Sequence, residues 1–201
     1  MVRIAFLVLA GVLAAVPAVA RDGVVTNWRN VATDADRDRL RNARQAWTDA
    51  LAKARTMNAR AIAAQGVLFD PDIALAGAKP PAGDYRCRVF KLGAKGPDNL
   101  DYVAYPAFRC RVALDGTQVR LTKLDGSQRP TGVLFDDGGY RQVFLGSMVL
   151  GDEARAFGYG RDDTRDMAGT VERIGPRRWR LTFPYPRFES LLDVVELVPA
   201  R

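Results

Sequence analysis

Two hydrophobic periods divide the chain. Between residues 33 and 65 apolar positions return every three or four residues: Leu40, Ala43, Trp47, Ala50, Ala54, Met57 and Ala61. That spacing lines them along one face of a helix. Thr33 ahead of Asp34-Ala35-Asp36 has the form of a capping box. Asp34, Asp36 and Asp38 fall in the first turn, where the helix dipole favours anions. Gly66 is a natural stop, and Asn58 is a point where the helix can divide in two. The stripe is thin and alanine-rich, which suits packing on a neighbouring layer, with Trp28 and Trp47 as anchors.

Residues 67–83 contain Asp70-Pro71 and Lys79-Pro80-Pro81-Ala82-Gly83 and read as a linker. From Asp84 the period becomes two. Strands are expected near 84–92, 107–114, 117–124, 131–136, 140–149, 154–159, 167–174, 177–184 and 191–198. Asp115-Gly116, Asp125-Gly126, Asp137-Gly138-Gly139, Gly151-Asp152 and Gly175-Pro176 supply the turns. Short strands joined by short turns indicate a meander, and closing it removes both exposed edges. The predicted fold is therefore mainly β: an antiparallel up-and-down barrel of about eight strands, lipocalin-like in architecture, over 84–201. A helical segment over 21–66 packs across one opening or side of it.

The first twenty residues belong to neither pattern. Arg3 precedes an unbroken apolar or small run from Ile4 to Val16, then Pro17 and Ala18-Val19-Ala20. This has the form of a secretory signal peptide cleaved before Arg21, with an uncleaved N-terminal anchor as the alternative. The expected mature chain is soluble and monomeric, has no further membrane span, and lies in the periplasm or outside the cell. The 201-residue chain carries a formal charge of +7, and losing Arg3 leaves +6. A basic balance often accompanies nucleic-acid binding. Export argues against that, and leaves anionic envelope polymers, lipid head groups or solubility alone.

The chain contains no histidine and only two cysteines. Histidine-based nucleophile pairs, histidine metal sites, zinc ribbons and iron–sulfur centres are excluded from its own residues. Ser127, Ser147 and Ser190 sit in no recognisable nucleophile motif. No enzymatic activity, no cofactor and no metal is expected. The cysteines lie in matching contexts, Arg86-Cys87-Arg88 and Arg109-Cys110-Arg111, on the apolar side of their strands. In an exported chain they most simply pair, with two free thiols as the alternative. The four flanking arginines then share the opposite face. Either Glu189, Asp193 and Glu196 neutralise them when the last strand closes on the first, or they form an anion-binding patch.

Two polar stretches are candidates for a site at a barrel mouth. Lys123 to Gly132 reads as a long polar connection, with Lys123 and Arg129 as its binding candidates. Tyr159 to Asp166 is dense in charge, and offers Tyr159, Arg161, Arg165 and Asp166. Asp162, Asp163 and Asp166 lack the spacing of a calcium loop.

The strings GDYRCRVFKLG, AYPAFRCRV, KLDGSQRPTG, VFLGS, YGRDDTRDMAG, ERIGPRRWRL and PYPRFESLLDVVEL resemble the domain-of-unknown-function 4893 family of exported bacterial proteins. The resemblance runs from about Asn27-Trp28 to the C-terminus. It implies one exported domain, and no functional residues come with it. The expected function is a non-enzymatic binding module of the bacterial envelope, taking a small molecule or anionic polymer at a barrel mouth. The alternative is a protein–protein module such as a periplasmic hydrolase or protease inhibitor.

Overall fold

A computed structural model describes residues 27–200. The expected signal peptide, residues 1–20, lies outside them. Eight strands form a closed antiparallel barrel in chain order. They are β1 (Gly83–Ala94), β2 (Tyr102–Asp115), β3 (Gln118–Lys123), β4 (Gln128–Asp136), β5 (Gln142–Leu150), β6 (Asp166–Gly175), β7 (Arg178–Pro184) and β8 (Ser190–Pro199). Closure comes from β1 pairing with β8, for example Cys87 opposite Leu197 and Lys91 opposite Asp193.

Alternation divides each strand between an inner and an outer face. Tyr85, Cys87, Cys110, Val112, Leu121, Phe144, Trp179, Leu181, Val195 and Leu197 fill the interior. The Cys87–Cys110 disulfide lies in this core, with Cα atoms 5.9 Å apart. One end of the barrel is covered by the segment that precedes β1. There Tyr85 stacks edge-on against Trp179, Tyr85 Oη donates to Pro81 O, and Trp179 Nε1 donates to Gly77 O. Residues 77–81 thus plug that end.

Helices α1 (Asp34–Arg41) and α2 (Ala43–Ala63) pack on the outside wall. Thr33 caps α1, accepting from Asp36 N. Trp47, Ala50, Leu51, Ala54 and Ile62 of α2 cover Phe90, Leu92, Leu192 and Val194, the outward residues of β1 and β8. Burying each of those larger side chains contributes about 1.5–3 kcal/mol. The helix follows its expected stripe as far as Asn58, where the backbone leaves helical geometry (φ −129°, ψ 24°). Beyond that point Ile62 returns to the core, and Met57 is left 83% exposed. Trp28, Ala32, Phe135 and Ala168 form a second outer cluster.

Arg180 joins these layers. It lies on the outer face of β7, wholly buried. Its guanidinium donates to Leu68 O, Asp70 O, Ile73 O and the Glu172 carboxylate, and stacks over the Trp47 ring. Residues 68–73 are thereby held against the barrel.

Three features depart from the sequence expectations. The strand expected at 154–159 is absent, because β5 and β6 pair directly (Leu145 opposite Ala168) and leave no edge for it. Residues 151–165 form a loop instead. The long connection expected over 123–132 is a short turn, since β4 begins at Gln128 and its side chains alternate across the barrel wall. The acids of β8 do not neutralise the arginine face. Glu196 pairs with Arg178, and Glu189 and Asp193 face Lys91. Asp84 takes Arg111 and Asp125 takes Arg109, while Arg88 stacks over Phe90.

Candidate functional site

The end of the barrel opposite the plug is open. Two prolines loosen its wall. Pro106 lies where one extra β2 residue opposes β1, between the pairs Arg88–Ala107 and Phe90–Ala104. Such a bulge re-aims nearby side chains, and Tyr105 lines the interior here. Pro130 has no N–H to offer, and the β3–β4 ladder stops just short of it at Thr122–Thr131.

Behind this opening lies a cavity of about 270 Å³. Val89, Phe108, Met148, Met167, Phe183 and Val195 form its apolar walls. Three inward glycines shape its floor. A β-carbon at Gly146 would meet Phe144 Cζ at 2.7 Å, one at Gly132 the same atom at 2.6 Å, and one at Gly169 would meet Phe183 Cδ1 at 2.9 Å. Their absent side chains let Phe144 and Phe183 stack edge to face at 5.4 Å. A smaller pocket of about 60 Å³ shares Lys91, Gln128, Met148, Met167, Phe183 and Asp193 with it, and extends to Arg165, Asp166 and Phe188.

Two buried lysines face this interior, with different partners. Lys91 Nζ is 2.6 Å from Glu189 Oε2 and 3.7 Å from Asp193 Oδ2, and donates to Gln128 Oε1 at 3.2 Å. Burial works against its charge, but the two carboxylates overcome that and hold its pKa above the ordinary value. The hydrogen bond from Lys91 holds Glu189 below the usual carboxylate range. Asp193 is fully buried, which pushes its carboxyl up, and Ser190 Oγ donates to it at 2.5 Å.

Among the described residues, Lys123 has no carboxylate within 4 Å. Its Nζ donates to Asp125 O at 2.6 Å and Gln128 O at 2.9 Å, in the gap that Pro130 opens, and sits 3.6 Å from the centroid of the Phe108 ring. The Asp125 carboxylate turns away, accepting from Arg109 N and Nε. Burial brings the Lys123 pKa down to about 8, with Asp125 opposing and Arg129 assisting the drop.

The residues singled out from sequence divide by role. Lys123 lines the cavity, and Arg165 and Asp166 line its smaller extension. Arg129 donates to Gly126 O, Gly151 O and Glu153 O, which fastens the 151–165 loop to the β3–β4 turn. Arg165 pairs with Glu153 inside that loop. Tyr159 Oη donates to Asp36 Oδ2 and accepts from Thr33 N, so it anchors the loop to α1. Asp166 accepts from Gly160 N, and Asp162 accepts from Thr164 N and Oγ1, so both serve the loop itself. Arg161 is exposed. Sequence reasoning missed Lys91, Tyr105 and Gln128 as site residues, and named Asp193 and Glu189 only as partners for the arginines. A usable signal exists: Lys91 continues the inward series Tyr85-Cys87-Val89, and Lys123 continues Val119-Leu121. A lysine at the inward end of an apolar series faces the barrel lumen.

Fold and site together define a closed eight-stranded barrel with one end covered by residues 77–81 and one hollow, partly charged end. The family model for the domain of unknown function DUF4893 matches residues 28–197, and the chain belongs to that family. No curated protein and no solved structure matches it.

Proposed function

We propose that the protein is a non-enzymatic binding module that takes a small amphipathic molecule into the barrel mouth. One observation carries this reading. At the uncovered end the interior leaves about 270 Å³, bounded by apolar side chains and a few convergent polar groups, whereas the hollow of about 500 Å³ at the other end lies between residues 77–79 and the β2–β3 and β4–β5 turns. Interiors are ordinarily filled to crystal density, so a hollow of this size at an open end fits a ligand better than a packing requirement. The absence of histidine supports a role without hydrolysis. Of the three serines, Ser190 Oγ donates a hydrogen bond to buried Asp193, Ser147 Oγ is buried on the outer wall, and Ser127 lines the cavity. The apolar start of the sequence and the internal disulfide support export to an oxidising compartment, with an envelope ligand.

Native mass spectrometry of protein recovered from an envelope fraction tests the reading. The expected result is a retained small molecule, absent from a Val89→Phe variant whose larger side chain enters the cavity. Ligand-free protein recovered with a second polypeptide would favour the inhibitor-type alternative instead.

A further inference from the structure

We infer that the cavity selects a short hydrophobic acid and that Lys123 receives its carboxylate. This rests on the binding reading above and specifies the ligand. The two lumen lysines differ in how their charge is met. Lys91 already has Glu189 and Asp193. Lys123 has two carbonyl oxygens and an aromatic face, all dipolar or quadrupolar, and among the described residues no carboxylate within salt-bridge distance. The desolvation of Lys123 is thus already suffered in the ligand-free fold. An anion entering beside it gains the attraction of a dehydrated cation without removing that cation from water.

The lumen carboxylates are placed away from Lys123. Glu189 and Asp193 both face Lys91, so neither occupies the place of an anion beside Lys123. Arg187 lines the adjoining pocket, together with Asp166 and with Arg165, which is paired with Glu153. A cationic head group would find no free carboxylate at Lys123. The walls then set the tail. Val89, Phe108, Met148, Met167 and Phe183 offer apolar and polarisable contacts, and methionine adapts to irregular tails. At roughly 30 Å³ for each water-sized unit, the cavity accommodates on the order of nine or ten non-hydrogen atoms. Gly126 completes the head-group pocket: a β-carbon there would lie 2.7 Å from Lys123 Nζ.

Calorimetric titration with octanoate, octan-1-ol and octylammonium at pH 7 separates the possibilities. Octanoate should bind about tenfold or more tightly than octylammonium. Lys123→Gln should weaken octanoate by roughly 10–100-fold, the range of a hydrogen bond to a charged group, and change octan-1-ol by less than about threefold. A second measurement needs no variant. Octanoate affinity of the unaltered protein should fall at least about fivefold between pH 7 and 9.5, as Lys123 deprotonates, while octan-1-ol affinity stays constant. Asp125, Arg129, Phe108 and Gln128 surround Lys123, with Asp125 held below the usual carboxylate range, and Lys91, Tyr105 and Asp193 share the cavity, where Glu189 and Asp193 hold Lys91 above its ordinary value. Octan-1-ol binding with no preference for octanoate, or with octanoate insensitive to Lys123→Gln and to pH, would overturn the carboxylate assignment and leave the binding module standing. No binding of any of the three would overturn both.

Discussion

Lys123 holds its ammonium nitrogen 3.6 Å from the centre of the Phe108 ring, inside the barrel and out of reach of any described carboxylate. A cation–π contact and two carbonyls offset part of the cost of burying that charge, and the remainder appears as a pKa near 8 against an ordinary 10.5. A fold that retains such a group gives up stability for it. Ligand sites commonly have this character.

Its consequence for stability has a definite sign. Below pH 8 both folded and unfolded chains carry the Lys123 proton. Between about 8 and 10.5 the unfolded chain keeps a proton that the folded chain has released. The Lys123 contribution to stability therefore rises with pH across that window, by up to about 1 kcal/mol per pH unit. Lys123→Met should raise the urea midpoint at pH 7 and remove this rise. A variant less stable than the parent at pH 7 would show that the lysine holds the β3–β4 turn together more than it strains it.

Arg180 has the opposite character, since every layer converges on it. Arg180→Met should cost about 3–5 kcal/mol, because it strands the Glu172 carboxylate and the carbonyls of Leu68, Asp70 and Ile73. Limited proteolysis should then cut first within 66–76. A midpoint within experimental error of the parent would remove the tethering role.

The disulfide closes a sequence separation of 23 residues. Reduction, or Cys87→Ala with Cys110→Ala, should cost about 3 kcal/mol by the chain-entropy argument. The two methods should agree, and equal urea midpoints with and without reductant would contradict the expectation.

Tyr159→Phe isolates the anchor of the 151–165 loop. It removes the bonds to Asp36 and Thr33, at a cost of about 1–2 kcal/mol. Trypsin should then cleave at Arg155 or Arg161 sooner than in the parent. An unchanged digestion pattern would show that the Arg129 and Arg165 contacts hold the loop unaided.

The barrel was legible because its signal is repeated: alternation in every strand, a turn at each junction, and cysteines that share one face. The false strand at 154–159 shows the limit of that signal, since alternation says nothing about whether a hydrogen-bonding edge is free. Pro130 and Gly132 made 123–132 look like a loop, whereas both occupy inward strand positions, where a bulky side chain would meet Phe144 or close the mouth. The arginine face was read correctly as a face, but its partners were not. Asp84 and Asp125 reach Arg111 and Arg109 through pairings that strand periodicity alone does not specify. The site was half visible. Lys123 stood out by its polar neighbours, while Lys91, Gln128 and Tyr105 acquire meaning only once barrel closure and the β2 bulge bring them round one cavity.

Methionine methyl resonances give the most direct test of a ligand-binding mouth. Met148 and Met167 line the cavity, and Met57 lies exposed on α2. Protein labelled with ¹³C at the methionine ε-methyls, titrated with octan-1-ol, reports occupancy without invoking any charge. Saturable shifts of Met148 and Met167, with Met57 unmoved and with the response abolished in Val89→Phe, are the expected result. Shifts of Met57 alone, or none at any of the three up to the solubility limit of the alcohol, would contradict a binding site in the barrel mouth.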